Sequence, residues 1–253
     1  MTGPISRRLT RALARRLAAM GARAGTLPAA RLAAEAEAAR CLARSATRLV
    51  HEADERLALP IVGHESLTRP VGCDWAWRPD PWRLPMAVPG AAAVASGTAL
   101  GTAARLFHDC PLAEIAALQR RNRRAEDVAP YALAVDVYRF EGSFLSLAID
   151  LPPAAASGLT RRHILRAEAI IGMERPLELF ARLNIVHGPN TSQAVQELPA
   201  GGGRVMAEFD LAGMEINEKR IERLWLDLIL EGPEMNRVTF RDLTLLRRPR
   251  NDI

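Results

Sequence analysis

The chain has 253 residues, of which 49% are hydrophobic and 25% charged, and a formal net charge of +5. This composition argues against wholesale disorder, and the length allows one large all-β domain with an accessory element, or two small domains. No run of about 18 apolar residues occurs, so no membrane-spanning helix is expected, and Arg7, Arg8, Arg11, Arg15 and Arg16 interrupt any signal-peptide-like stretch, which leaves the cytoplasm as the expected compartment.

The charge is unevenly spread. Residues 1–48 hold ten arginines and two glutamates, a net of +8, so the remainder carries −3. Residues 5–58 read as helical, because Ala, Leu, Arg and Glu dominate. Ile5, Leu9, Leu13, Leu17 and Met20 form an i, i+4 stripe flanked by arginines. Gly21, Gly25 and Pro28 break this helix, and a second runs from Ala29 to Leu57, with Pro60 expected to end it. The pair reads as a helical hairpin packed on its own domain or on a partner. The alternative is a basic amphipathic surface for a peripheral contact with an anionic membrane. Nucleic acid is not expected as a partner, since no aromatic residue is interleaved before Trp75 and no binding module is recognisable.

Residues 60–89 carry six prolines and three of the four tryptophans, in CDWAWRPDPWR. So many prolines exclude a central strand. The segment reads as an extended wrap anchored by Trp75, Trp77 and Trp82. The other reading is a stacking platform for a flat ligand, aided by Arg78, Asp80 and Arg83.

Strand-like segments recur after Gly90. Ala99–Cys110 is followed by Leu112–Leu118, ambiguous between helix and strand, and by QRRNRR at 119–124, expected to be exposed. Leu133, Val135 and Val137, then Leu145, Leu147, Ile149 and Leu151, alternate with polar residues and predict a hairpin turning at Glu141-Gly142. His163–Met173 is a further strand. Leu177, Leu179, Ala181, Leu183 and Ile185 form one face of the next, before the loop HGPN at 187–190. Val205, Ala207, Phe209 and Leu211 alternate after the GGG turn at 201–203, and Asn217–Arg223 reads as a short helical turn. Last come Leu224, Leu226, Leu228 and Leu230 on one face, a turn at Gly232-Pro233, and a strand in which Val238 and Phe240 share one phase while Leu243 and Leu245 share the other. This predicts a closing hairpin with a β-bulge or two-sided burial in its second strand. The expected fold is mainly β: an antiparallel β-sandwich, jelly-roll-like, preceded by N-terminal α-helices. Its parts are a helical segment 1–59, a wrapping linker 60–89 and a sandwich 90–253.

The words CDWAWRP (73–79), LFHDC (106–110), FEGSFLSLAIDLP (140–152), LFARLNIVHGPN (179–190), EFDLAGMEINEKRIERLWLDLI (208–229) and MNRVTFRDLTLLRRPR (235–250) resemble a bacterial family of unknown function, over roughly residues 70–250. That resemblance carries over no activity. The closing pattern of strand, turn, Asn and strand also resembles galactose-binding-like and carbohydrate-binding jelly rolls, at the level of fold.

No phosphate-binding loop, GxSxG, HExxH or DxDxDG-like run occurs. The three cysteines, Cys41, Cys73 and Cys110, are odd in number and widely spaced, without a disulfide or zinc pattern. Neither cofactor nor metal is expected. His108-Asp109 is the most catalytic-looking pair, but neighbours on a strand point to opposite faces, and a structural role is the favoured reading. Arg182 and Asn184 share a face, with His187 beyond them, and Tyr138, Trp225 and Asp227 fall on non-core faces of their strands. An aromatic ring beside forked polar groups is the composition of a sugar-binding surface. The residues expected to contact such a ligand are Trp77, Arg78, Tyr138, Arg182, Asn184, His187, Trp225 and Asp227. The function expected is non-enzymatic saccharide binding. An interaction protein docked through residues 1–48 is the alternative, and an enzyme built on His108, Asp109 and His187 is a third reading.

Overall fold

The computed structural model describes residues 4–62, 70–124, 127–199 and 201–250. The chain divides into two units, Met1–Ala53 and Asp54–Ile253. The first consists of α1 (Pro4–Ala22) and most of α2 (Ala29–Val62), separated by a short 3-10 turn at Ala24–Thr26. The break falls where Gly21, Gly25 and Pro28 were expected to place it. Between residues 12 and 50 no described side chain is buried, and Leu49 is 66% exposed. The second helix does not stop at Pro60 but continues to Val62. Proline removes one amide donor without forcing the residues after it out of helical dihedrals. Among the described residues no helix is long and apolar enough to cross a membrane.

In the second unit, thirteen strands among the described residues form two antiparallel sheets. They are β1 (Trp75–Trp77), β2 (Gly90–Ala91), β3 (Thr98–Leu100), β4 (Ala104–His108), β5 (Ile115–Arg121), β6 (Tyr131–Val137), β7 (Leu145–Asp150), β8 (His163–Met173), β9 (Leu179–His187), β10 (Asn190–Leu198), β11 (Gly203–Asp210), β12 (Ile221–Leu230) and β13 (Asn236–Pro249). Short helices α3 (Asp80–Arg83) and α4 (Pro153–Ala156) lie between them. One sheet runs β11-β8-β13-β6-β5-β2, with β1 also paired to β13; the other runs β10-β9-β12-β7-β4-β3. Read side by side, the two orders match position by position: β11 with β10, β8 with β9, β13 with β12, β6 with β7. This is a jelly-roll-like sandwich, as expected. The apolar phases of the strands meet between the sheets, where Leu179, Ala181, Leu183, Ile185, Leu224, Leu226, Leu228 and Leu230 are all buried.

Two connections differ from expectation. Residues 131–151 are not a hairpin: β6 belongs to the seven-stranded sheet and β7 to the six-stranded one. The same holds for β12 and β13, so the Gly232-Pro233 turn is an arch across the sandwich. Alternation identifies the buried face of a strand but not its neighbour, and a Gly/Pro turn serves an arch as well as a hairpin. The expected segment Ala99–Cys110 is itself divided into the paired strands β3 and β4. HGPN, by contrast, turns a true hairpin between β9 and β10.

The change of frame in β13 is a bulge: its register against β8 shifts between Phe240 and Asp242. The Pro/Trp segment is fastened along this strand. β1 pairs with residues 245–247, Trp82 Nε1 donates to the Phe240 carbonyl at 2.8 Å, and Arg247 forks onto Asp74. Trp82 is fully buried, and Trp75 and Trp77 stack on each other, their centroids 6.3 Å apart. Within the segment, residues 75–77 take part in the sheet's own pairing. Gln119 takes part as well. Expected to be exposed, it is buried, donating to the carbonyls of Pro81 and Leu84 and accepting from Met86 N–H.

Candidate functional site

The outer face of the six-stranded sheet carries a cleft of about 560 Å³. Its floor is set by cross-strand register. One row runs Arg105, Ala148, Asp227, Arg182 across β4, β7, β12 and β9; a second runs Asp150, Trp225, Asn184, Gln193 across β7, β12, β9 and β10; a third begins Phe107, Ser146, Ile229. Ala148 is the smallest side chain of the first row and leaves the depression between its neighbours. Phe144, just before β7, completes the wall.

Asp227 organises the polar end. Its Oδ2 accepts from Arg182 Nε and Nη2 at 3.0 and 2.8 Å, from Asn184 Nδ2 at 2.9 Å and from Trp225 Nε1 at 3.2 Å. Asn184, fully buried, accepts from Gln193 Nε2 at 2.8 Å. Each member is held by the next, so the donors and acceptors are pre-positioned. No donor among the described residues reaches Asp227 Oδ1, which remains available as an acceptor. Arg223 pairs with Asp150 and lies over the Trp225 ring, 5.1 Å from its centroid, so this indole presents an arginine-capped face rather than a bare one. The open aromatic surface comes instead from Phe107 and Phe144, 37% and 42% exposed. Opposite Phe107 in register and two residues after Phe144, the Ser146 hydroxyl is buried and makes no hydrogen bond. An unmet hydroxyl of this kind costs about 1–3 kcal/mol.

The structure brings together four of the eight residues expected from sequence: Arg182, Asn184, Trp225 and Asp227. The other four lie elsewhere. Trp77 and Arg78 are on the seven-stranded side, where Arg78 is buried against Asp242 with bonds of 2.8 and 3.1 Å. Tyr138 follows β6, half exposed, its backbone bonded to Glu114 and Met235. His187, at the end of β9, takes the Asn217 N–H on Nδ1 and therefore donates from Nε2 to Ser192 Oγ, which donates to the Glu215 carbonyl. With Nε2 as donor, this histidine does not accept a proton from the serine, so the pair ties a loop to β10 rather than forming a nucleophile and base.

Phe107, Phe144, Ser146, Asp150, Gln193, Arg105 and Arg223 were not expected in the site. Alternation along β4 and β7 already marks Arg105, Phe107, Ser146 and Asp150 as outward-facing. The missing information was that β4 and β7 lie in the same sheet as β12 and β9. The catalytic alternative loses its geometry. His108 lies level with Leu145, Leu230 and Leu179, eight residues along β9 from His187. That separation is on the order of 25 Å, beyond acid–base reach. Asp109 instead caps the loop before β7. The Ser143 hydroxyl and the amides of Ser143 and Phe144 all donate to it and hold its carboxyl below the usual range. Among the described residues no group of three or more His, Cys, Asp or Glu could hold a metal ion.

The chain matches a family of unknown function, DUF6478, over residues 1–253, and belongs to it. The match includes the N-terminal helices, which lay outside the resemblance noted over residues 70–250. Among curated proteins there is no match. Among solved structures, the chain is similar to the enzymatically active domain of bacteriophage CBA120 tailspike protein 4, at 6% identity and TM-score 0.41, covering 57% of this chain and 19% of that one. It is also similar to the C-terminal family 22 carbohydrate-binding module of Clostridium thermocellum Xyn10B, at 9% identity and TM-score 0.36, covering 73% and 98%. A third is TmCBM61, solved with β-1,4-galactotriose, at 15% identity and TM-score 0.33, covering 57% and 88%. The chain thus spans about a fifth of the tailspike structure's length. Likenesses this distant transfer neither ligand nor site.

Proposed function

We propose that the sandwich binds a saccharide, without chemical conversion, in the cleft on the outer face of its six-stranded sheet. The observation that carries this reading is the pairing of exposed Phe107 and Phe144 with the network centred on Asp227. A sugar ring has C–H groups on its faces and hydroxyls at its rim. The phenyl rings suit the faces. The rim hydroxyls, each both donor and acceptor, suit Asp227 Oδ1 and the arginine fork beside it.

Calorimetric titration of the full chain against a panel of bacterial and plant oligosaccharides tests the reading. At least one glycan should bind, and Phe107→Ala and Phe144→Ala should each weaken it about tenfold or more, a typical loss for an aromatic anchor. Phe144 is exposed, so its variant keeps the fold, which thermal unfolding checks. Absence of binding across the panel, or binding indifferent to both substitutions, overturns the proposal.

A further inference from the structure

We infer that the saccharide taken by this cleft carries a single carboxylate, which Arg105 recognises at the β4 end of the cleft. This deepens the proposed function and rests on it.

Three arginines and two aspartates line the cleft. Two of the arginines are neutralised: Arg182 by Asp227 and Arg223 by Asp150. Arg105 has no carboxylate partner among the described residues; its sole bond is a long one, 3.5 Å, to the Gly97 carbonyl. It is exposed at the end of the row in which Ala148 leaves the floor open. One strand over and one side-chain step along is Ser146, buried in the cleft lining with its hydroxyl unbonded. A lone guanidinium fork beside an unused hydroxyl donor is a complement to one carboxylate: the fork takes both oxygens and the hydroxyl supplies a third bond.

The rest of the lining limits the charge to one. Asp227 and Asp150 face the same space, and a chain bearing several sulfates or phosphates would set negative groups against them. Neutral sugars can meet Arg105 and Ser146 with hydroxyls but leave the Arg105 charge without a counter-charge. The class that meets every group is a uronic-acid-type saccharide, with its carboxylate at the Arg105 end and its hydroxyls at the Asp227 end.

The test pairs each acidic oligosaccharide with its methyl ester, which has nearly the same shape and no charge. Otherwise neutral oligosaccharides that carry one galacturonic, glucuronic or mannuronic residue, each in both forms, are titrated into the full chain by calorimetry. The acid form should bind roughly tenfold more tightly, the scale of one charge-assisted hydrogen bond. Arg105→Gln should abolish that preference, and raising the salt concentration should erode it. Equal binding of acid and ester, or a preference that survives Arg105→Gln, overturns the carboxylate assignment and leaves saccharide binding standing. Failure of every acid and ester to bind, while neutral glycans bind, overturns it as well. Failure of all glycans removes the proposed function itself.

Discussion

Asp227 and Asp242 show how differently two buried carboxylates can be used. Asp227 spends one oxygen on four protein donors and keeps the other for the cleft, whereas Asp242 gives both oxygens to Arg78. The Arg78–Asp242 pair is closed to solvent, with side chains 6% and 9% exposed. Asp242→Ala would strand the guanidinium in the interior, and the expected loss is about 3–5 kcal/mol, read from the midpoint of urea unfolding. The sequence distinguished these roles poorly. Arg78 beside Trp77 had the look of a ligand contact, and nothing within residues 73–83 reveals that its partner lies 164 positions away. Arg182, Asn184, Trp225 and Asp227 were legible because each follows the phase of its own strand, which is local information. Phe107 and Ser146 depend on which strands are neighbours, and that is decided by long-range register.

At the level of elements, β13 is the strand on which the seven-stranded sheet depends. It pairs with β8 along its length, with β6 at residues 236–240 and with β1 at 245–247. The bulge between those last two pairings would leave carbonyls unmet. Trp82 Nε1 serves Phe240 O, and Asn122 Nδ2 serves Arg241 O, both at 2.8 Å. Trp82→Phe keeps most of the buried ring but removes the donor. Its expected cost is about 1–3 kcal/mol from the orphaned carbonyl, measurable as a lowered urea midpoint with an unchanged slope. The bulge itself was readable from the phase change between Phe240 and Leu243. The arches at Glu141-Gly142 and Gly232-Pro233 were not, because the same turn residues fit both outcomes.

For the whole molecule, acid sensitivity follows from its ion pairs. Burial raises the pKa of Asp74, but the Arg247 hydrogen bonds and charge outweigh it and hold the carboxyl below its ordinary value of 3.8. Glu208 is held below 4.5 in the same way by Arg166 and Arg248, against its burial. A lowered folded-state pKa means that the stabilisation is fully present above the ordinary value and disappears as pH falls through the folded one. The melting temperature should therefore stay level from about pH 7 to 5 and fall below about pH 4, more steeply for the wild type than for Glu208→Gln. Both groups are about a third exposed, so the effect of either alone is modest.

The place of β13 also bears on how the chain is made. Its partners β1, β6 and β8 all precede it, and about sixty residues separate the end of β8 from its start. At a ribosomal rate of roughly 5–20 residues per second, that interval lasts several seconds. Throughout it, β6 and β8 each lack the neighbour that will join them and present open hydrogen-bonding edges to anything nearby. The nascent chain is thus most exposed to mispairing just before its sheet can close, and a holding chaperone acting after Met173 emerges would protect it where a purified, refolding chain has no such help.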